Sequence, residues 1–453
     1  MYSLRLAGHL KGKHYGLPRT FRGVSINSKT VSGGELFVPL RGQRFDGHTF
    51  IGEALKRGAV GFLFERGKLS PSQIQKLTRR AFAIEVENTF EALKGIARLR
   101  REKFKGKEII AVTGSAGKTT TKELIAHLLA HRYGVYKTPG NLNSQIGLPL
   151  ALANADPNAD FWVFELGADR RGNISHLGEL LRPTLSVLTS VGKAHLEGFG
   201  NFENLLCAKG EIFLPPSVKR AVIPKEVEEC YRHLLGGKDY LTFGRGGDVE
   251  VSRYRFLKTG KTLMEVEDRT LEVPLLGEGI VRATEAAIGV LKVLGFPWEE
   301  FTEAFSTFRG EWGRMQPLLG DGYLVINDAY NANPLSVASA IKTLSKIEGY
   351  RKRVLILGDM LELGREEIEE HLKVGKLIEK SPIDEVYLFG NLTRFTCKAI
   401  KTKRCFYSSG KDHLKELLSK FHPQRDTVYL IKGSRGMKME DFLPVLGIEI
   451  YNQ

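Results

Sequence analysis

Residues Ala111-Val112-Thr113-Gly114-Ser115-Ala116-Gly117-Lys118-Thr119-Thr120-Thr121-Lys122 follow an apolar run, Glu108 to Val112, and lead into an amphipathic stretch, Glu123 to His131. A glycine loop between a strand and a helix start is the layout in which backbone N–H groups cradle phosphates. Lys118 would neutralise those phosphates and Thr119 would offer its hydroxyl to Mg²⁺, so the pattern points to ATP or GTP. Val112 stands where the usual P-loop has its first glycine, and the reading therefore leans on the flanking strand and helix.

Other residues with chemical potential sit just past strand-like runs. Glu165 closes Phe161-Trp162-Val163-Phe164, where a carboxylate meets ligands in open α/β sheets and a hard cation wants oxygen; the alternative is a solvent-facing strand end. His195 follows the run Thr184 to Leu188, and a lone histidine there is either a ligand or a structural hydrogen-bonder. Lys209, in Cys207-Ala208-Lys209-Gly210-Glu211, reads by itself as a solvated lysine. Three polar stretches, Asn327 to Pro334, Gly358 to Gly364 and Lys432 to Arg435, each follow a strand and together describe a binding face, although one asparagine among them could serve as a helix cap.

The elements that must position these residues fall into three blocks. At 453 residues, 42% apolar and 26% charged, the chain is expected to form two or three domains. Residues 1 to 84 hold strand-like runs at Gly34 to Val38 and Ala59 to Phe64 with one short helix, Phe50 to Arg57. Glu85 to Lys105 reads as a helix entering the second block, where strands near 108–113, 161–166, 184–189 and 220–223 alternate with helices as a mostly parallel sheet requires. Val249 to Pro274 reads as an antiparallel appendage and Ile280 to Leu294 as a closing helix. Beyond a hinge at Gly310 to Gly313, runs at Tyr323–Ile326, Arg353–Leu357, Glu385–Phe389 and Thr427–Ile431 predict a second doubly wound sheet.

Bulk properties exclude several classes. No run approaches the roughly 18 apolar residues of a membrane span, and Met1 to Leu10 lacks a signal-peptide core, so a cytoplasmic protein is expected. Cys207, Cys230, Cys397 and Cys405 form no C-x-x-C pair, which argues for reduced thiols rather than zinc or disulfides. The formal charge of +15 is spread along the chain without a basic arm, which points to a lysine-rich surface that attracts polyanionic substrates and away from nucleic acid.

Taken together, GSAGKTT at Gly114 to Thr120, TPGNLNSQIGLP at Thr138 to Pro149, ELGADRRGNI at Glu165 to Ile174 and the His195 segment resemble the ATP-dependent Mur ligases. DAYNANP at Asp328 to Pro334, LGDMLELG at Leu357 to Gly364 and KGSRGMKME at Lys432 to Glu440 resemble the branch that adds D-alanyl-D-alanine to UDP-N-acetylmuramoyl-tripeptide. The amino-terminal Asn27 to Lys29 and Gly34 to Phe50 are similar to its nucleotide-sugar domain. The resemblance implies an α/β fold of three domains: a small nucleotide-sugar domain (1–84), a central P-loop domain with a mostly parallel sheet (85–312), and a C-terminal Rossmann-like domain (313–453) for the incoming dipeptide.

It also implies roles. Gly114, Ser115, Ala116, Gly117, Lys118, Thr119 and Thr120 hold the ATP phosphates, with Asp328 near the ribose and Arg314 near the γ-phosphate. Two Mg²⁺ ions are served by Thr119, Glu165, His195 and a carbamylated Lys209. Ser28, Asp46, His48, Asn141, Asn143, Asn331 and Asn333 are the implied substrate contacts, and the enzyme is implied to act as a monomer. A folylpolyglutamate synthase-like amide ligase is the alternative, while a P-loop switch without ligase chemistry would leave the C-terminal loops without a purpose. Asn27 stands where the family usually has Asp, and Gly277 to Ala283 lacks the two asparagines usually credited with an adenine contact.

Overall fold

The computed structural model describes residues 1–42, 45–192 and 199–449. The chain condenses into two compact units, one made of Met1–Gly114, Arg132–Ala221 and Cys230–Asp239, the other of Ser115–His131, Val222–Glu229 and the chain from Tyr240 onward.

In the first unit a five-stranded sheet runs in the order Lys13–Tyr15, Phe82–Val86, Gly61–Glu65, Leu36–Phe37, Val24–Ser25. Its first pair is antiparallel and the rest are parallel. Gly61–Glu65 is buried along its whole length, as a parallel strand covered on both faces must be. The apolar run Phe82-Ala83-Ile84 carries the strand on through Glu85 and Val86, so the expected helix from Glu85 is corrected: it starts at Thr89, where Asn88 accepts the N–H of Glu91, and ends at Glu102. The boundary expected at residue 84 thus falls inside a strand. Leu93 and Ile96 of that helix pack into the same core as Leu6, Val24, Leu36 and Ile84. Helices at Ser3–His9 and Pro71–Leu77 were not expected, although the Ser70/Gln73 capping box was legible.

The central strand Glu108–Thr113 is buried throughout and lies parallel between Phe161–Glu165 and Leu185–Leu188, with Val135–Lys137 beyond Phe161–Glu165. Arg220–Pro224 and Asp239–Phe243 extend this sheet to six strands. The register pairs Val112 with Glu165, so the carboxylate leaves its strand level with the start of the glycine loop.

In the second unit the helix Lys118–Ala130 packs against Glu278–Val293 and Thr302–Thr307. Residues 121–126, 128 and 129 are all buried, so the expected amphipathic helix is instead covered on nearly every face. Val251–Phe256, Thr262–Val266 and Arg269–Val273 form the antiparallel appendage. A second six-stranded sheet runs Gln316–Leu319, Leu324–Asp328, Thr427–Lys432, Lys352–Gly358, Glu385–Phe389, Arg404–Ser408, parallel except at its first strand. The two outer strands were not anticipated: Gln316–Leu319 is only four residues long and carries a proline, and both strands are mostly half-buried or exposed, as edge strands are. Among the described residues no helix is long and apolar enough to cross a membrane.

Candidate active site

In the first unit, the glycine loop begins where only glycine fits. A Cβ on Gly114 would lie 2.0 Å from the Thr189 hydroxyl and 2.9 Å from the Ser190 nitrogen. Glu165 is buried, its Oε1 accepts from Asn143 Nδ2 at 2.6 Å, and its N–H donates to the Thr138 hydroxyl at 3.0 Å. Asn143 is itself braced, because the Gly167 N–H donates to its carbonyl at 2.8 Å and a Cβ on Gly167 would meet its side-chain oxygen at 3.0 Å. Asn143 was expected as a substrate contact; the structure sets its amide against the candidate metal carboxylate. Asn141 is exposed and gives its carbonyl to the Asn143 N–H.

Lys209 lies on the helix Phe202–Gly210 and is 3% exposed, with its ammonium 5.5 Å from the Phe199 ring centre. That burial replaces the solvated lysine of the bare sequence. Its neighbour Glu211 was missed: its two oxygens accept the Gly172 and Ser175 N–H groups at 2.6 and 3.0 Å, fixing the start of the helix after the Glu165 loop. An acid beside Lys209 was its only signal in the sequence. His195 lies outside the described residues. Among the described residues no three His, Cys, Asp or Glu side chains gather as a metal site.

The nucleotide-sugar candidates are engaged within their own block. Ser28 donates to Glu53 at 2.8 Å. Asp46 takes the His48 backbone and ring N–H groups at 3.0 and 2.6 Å and Lys68 at 2.7 Å. Burial alone would push the Asp46 carboxyl up, but these hydrogen bonds hold it well below the usual carboxylate range. His48 Nε2 accepts the Glu65 N–H at 3.0 Å, which leaves Nδ1 as the protonated nitrogen toward Asp46. These residues shape the loop. Asn27 likewise closes a turn, its side chain accepting the Lys29 N–H.

In the second unit, Gly117 adopts φ 78 at the start of the helix and brings no side chain to cap it. Ser115, Lys118, Thr119 and Thr120 are half-buried, and Ala116 is exposed. One turn on, Lys122 and Glu123 form a buried ion pair at 2.8 Å that the amphipathic reading missed. Glu311 of the expected hinge reaches the same pair: its burial, then the Glu123 charge and hydrogen bond, raise its carboxyl above the usual range. Arg314 stacks on Tyr330, 4.2 Å from guanidinium carbon to ring centre, and its buried Nε has no hydrogen-bond partner among the described residues. Asp328 is doubly engaged, by Lys432 Nζ at 2.6 Å and the Met315 N–H at 3.1 Å. Lys432, 2% exposed, also donates to the Asn331 carbonyl at 2.9 Å, an anchoring role that the sequence showed only as part of a polar loop.

Asn333 settles the cap question. Its side-chain oxygen accepts the Ser336 N–H at 2.8 Å and starts the helix Pro334–Lys346, while Asn331 is exposed and its side-chain oxygen accepts the Ala332 N–H at 2.8 Å. Ile280 and Ala283, which replace the absent asparagines, are buried in the helix Glu278–Val293.

Comparison with known sequences adds to this geometry. Residues 20–101 match the Mur ligase family catalytic domain, 112–291 the Mur ligase middle domain, and 313–439 the Mur ligase glutamate ligase domain. The chain belongs to the Mur ligase family. A relative from Bacillus subtilis, UDP-N-acetylmuramoyl-tripeptide--D-alanyl-D-alanine ligase, is 32% identical over 431 residues, covering 93% of this chain and 92% of its own. Among solved structures, MurF from Acinetobacter baumannii superposes with a TM-score of 0.85 at 26% identity, covering 98% of both chains. MurF ligase from Thermotoga maritima, solved in complex with ADP, has a TM-score of 0.80 at 31% identity, covering 94% of this chain and 97% of that one. The fold of this Mur ligase is therefore three α/β domains, and the division into two compact units passes through the middle one, between Gly114 and Ser115.

Proposed function

We propose that this Mur ligase joins D-alanyl-D-alanine to UDP-N-acetylmuramoyl-tripeptide with conversion of ATP to ADP and phosphate, yielding the UDP-linked pentapeptide precursor of peptidoglycan. One observation carries the reading: a Gly114 loop and a buried Glu165 leave neighbouring strands at the same level, in a chain alignable end to end with a ligase of that name. The folylpolyglutamate alternative has no support of this kind.

A carboxylate and an amine do not condense in water, so the acid must be activated. The terminal carboxylate of the UDP-linked tripeptide attacks the γ-phosphoryl of ATP, giving an acyl phosphate and ADP. The dipeptide amine then attacks the acyl carbon, a tetrahedral species collapses, and phosphate leaves with the original carboxylate oxygen. Lys118 and the N–H groups of Gly114 to Thr120 hold the phosphates, Arg314 faces the transferring group, and no side-chain nucleophile is required. Mg²⁺ bound by Thr119, Glu165, His195 and Lys209 would neutralise charge on the phosphate oxygens. At Lys209, amine plus CO₂ gives a carbamate and a proton, turning a repelled cation into an oxygen donor.

In this reading 1–84 hold the UDP moiety, 85–312 the nucleotide, and 313–453 the dipeptide, in a cytoplasmic monomer. The deciding experiment uses tripeptide labelled with ¹⁸O in its terminal carboxylate. Label appearing in released phosphate, only when both the UDP-tripeptide and the dipeptide are present, is expected; turnover without transfer of label refutes the acyl phosphate.

A further inference from the structure

Four parallel strands of the C-terminal sheet end side by side, with Asp328 paired to Lys432, Leu357 to Lys432, and Gly358 to Phe389. The loops leaving them form the carboxyl edge at which open α/β sheets bind ligands. One buried side chain ties three of these loops together. The Ser434 hydroxyl accepts the Leu361 N–H at 2.8 Å and donates to the Ala332 carbonyl at 3.2 Å, while the Ser434 N–H donates to the Asp359 carbonyl at 3.1 Å. Ser434 is 4% exposed, so these bonds are not exchanged with bulk water.

Asp359 continues the stitching to the fourth loop. Its carboxylate accepts the Asn391, Leu392 and Thr393 N–H groups at 2.8, 3.0 and 2.8 Å. Gly390, at φ 123, permits this approach, since a Cβ there would lie 2.4 Å from the Asp359 carboxylate. Gly433 performs the same service between strands: its Cβ would lie 2.5 Å from Met439 Cγ and 3.1 Å from Gly358 Cα. The edge is thus assembled by direct bonds before any ligand arrives. Leu335 and Leu361, 50% and 39% exposed, leave the two loops that the Ser434 hydroxyl joins and offer apolar contact suited to small methyl side chains.

We infer that Ser434 is a positioning residue for the acceptor dipeptide: its hydroxyl sets the spacing between the loops at 328–334 and 359–363, and with it the fit of the dialanine that brings the attacking amine. This rests on the reading above that the C-terminal edge receives the dipeptide. Without the hydroxyl, the Leu361 N–H and the Ala332 carbonyl are stranded in a site almost closed to water, and the loops part or admit water. The glycine loop is not among the bonded partners of Ser434, and Asp328, the implied ribose contact, enters the network only through the loop it shares with Ala332, so the larger defect falls on the dipeptide.

The test measures KM for the dipeptide, ATP and the UDP-tripeptide, together with melting temperature, for the parent, Ser434→Ala, Ser434→Thr and Asp359→Asn. Ser434→Ala is expected to raise the dipeptide KM about tenfold or more, with the other two KM values within about twofold. Ser434→Thr, which keeps the hydroxyl, is expected to return the dipeptide KM to within about threefold of the parent. Asp359→Asn carries the same selective expectation and serves if Ser434→Ala does not fold. A dipeptide KM unchanged in the alanine variant, or three KM values rising together, overturns the inference. A parent that releases no ADP with the dipeptide overturns the ligase reading itself, an outcome distinct from normal turnover by every variant.

Discussion

Replacing Asn143 with alanine separates two roles that the sequence left merged. The Asn143 amide donates to Glu165 Oε1 at 2.6 Å, and the carboxylate is only 2% exposed, so water cannot easily take its place. A hydrogen bond to a charged group contributes about 1.5–3 kcal/mol. Loss of a partner that orients a metal ligand usually lowers metal affinity roughly 10–100-fold, or about 1.4–2.7 kcal/mol, and the two ranges agree. Asn143→Ala should therefore raise the Mg²⁺ concentration for half-maximal turnover by roughly 10–100-fold, with most of kcat recovered at saturating Mg²⁺ and the KM for the UDP-tripeptide little changed. The assay is ADP release across a Mg²⁺ titration at fixed ATP, repeated across UDP-tripeptide concentrations. An unchanged Mg²⁺ requirement with a raised UDP-tripeptide KM would refute the reasoning, because it would mean that Asn143 touches substrate and not the carboxylate.

Gly114→Ala pushes a methyl to within 2.0 Å of the Thr189 hydroxyl, so the glycine loop must move; turnover should fall by about two orders of magnitude while overpacking costs about 1–3 kcal/mol in a denaturant melt, and near-parent activity would contradict the fit. Glu278 is held at about 2: burial opposes this, but Lys342, Tyr254 and Lys346 outweigh it. Because its folded-state pKa lies below the ordinary value of 4.5, its stabilisation is present above that value and fades as pH falls toward 2. The half-exposed lysines reduce the full linkage to about 1–2 kcal/mol, so Glu278→Gln should lower the melting temperature at neutral pH and leave it near the parent's at the acid end. Hydrogen bonding from the Cys405 thiol lowers Cys397 below the ordinary thiol value, so iodoacetamide should alkylate Cys397 at lower pH than an ordinary thiol, and Cys405→Ala should move that reactivity to higher pH when followed by peptide mass spectrometry.

What could be read in the chain, and what could not, divides by the range of the forces involved. The glycine loop was legible because its chemistry is contiguous: strand, loop and helix are built from neighbouring residues, and Gly114 and Gly117 announce the backbone they need. The strand ending in Glu165 and the three polar loops of the C-terminal sheet were legible for the same reason, since an apolar run followed by short polar residues marks a strand end locally. The Phe82–Val86 strand was less so, because Glu85 and Val86 suit a helix start equally well until the neighbouring strand Gly61–Glu65 claims them.

By itself, then, the sequence determined which residues can handle phosphate, metal and amide chemistry and the order in which strands present them. Only the tertiary structure decided which polar groups remain available. Asn333 and Asn331 stand two positions apart in one loop, yet the helix takes the first as its cap and leaves the second exposed. Lys122 and Glu123 look like a solvated face, yet the fold buries both and they pair with each other, with Glu311 beside them. Asp46 and His48 answer to each other and to Lys68. Local spacing fixes backbone and side-chain identity, whereas hydrogen-bond satisfaction depends on what distant segments bury, and a buried polar group must bond to whatever the fold brings to it.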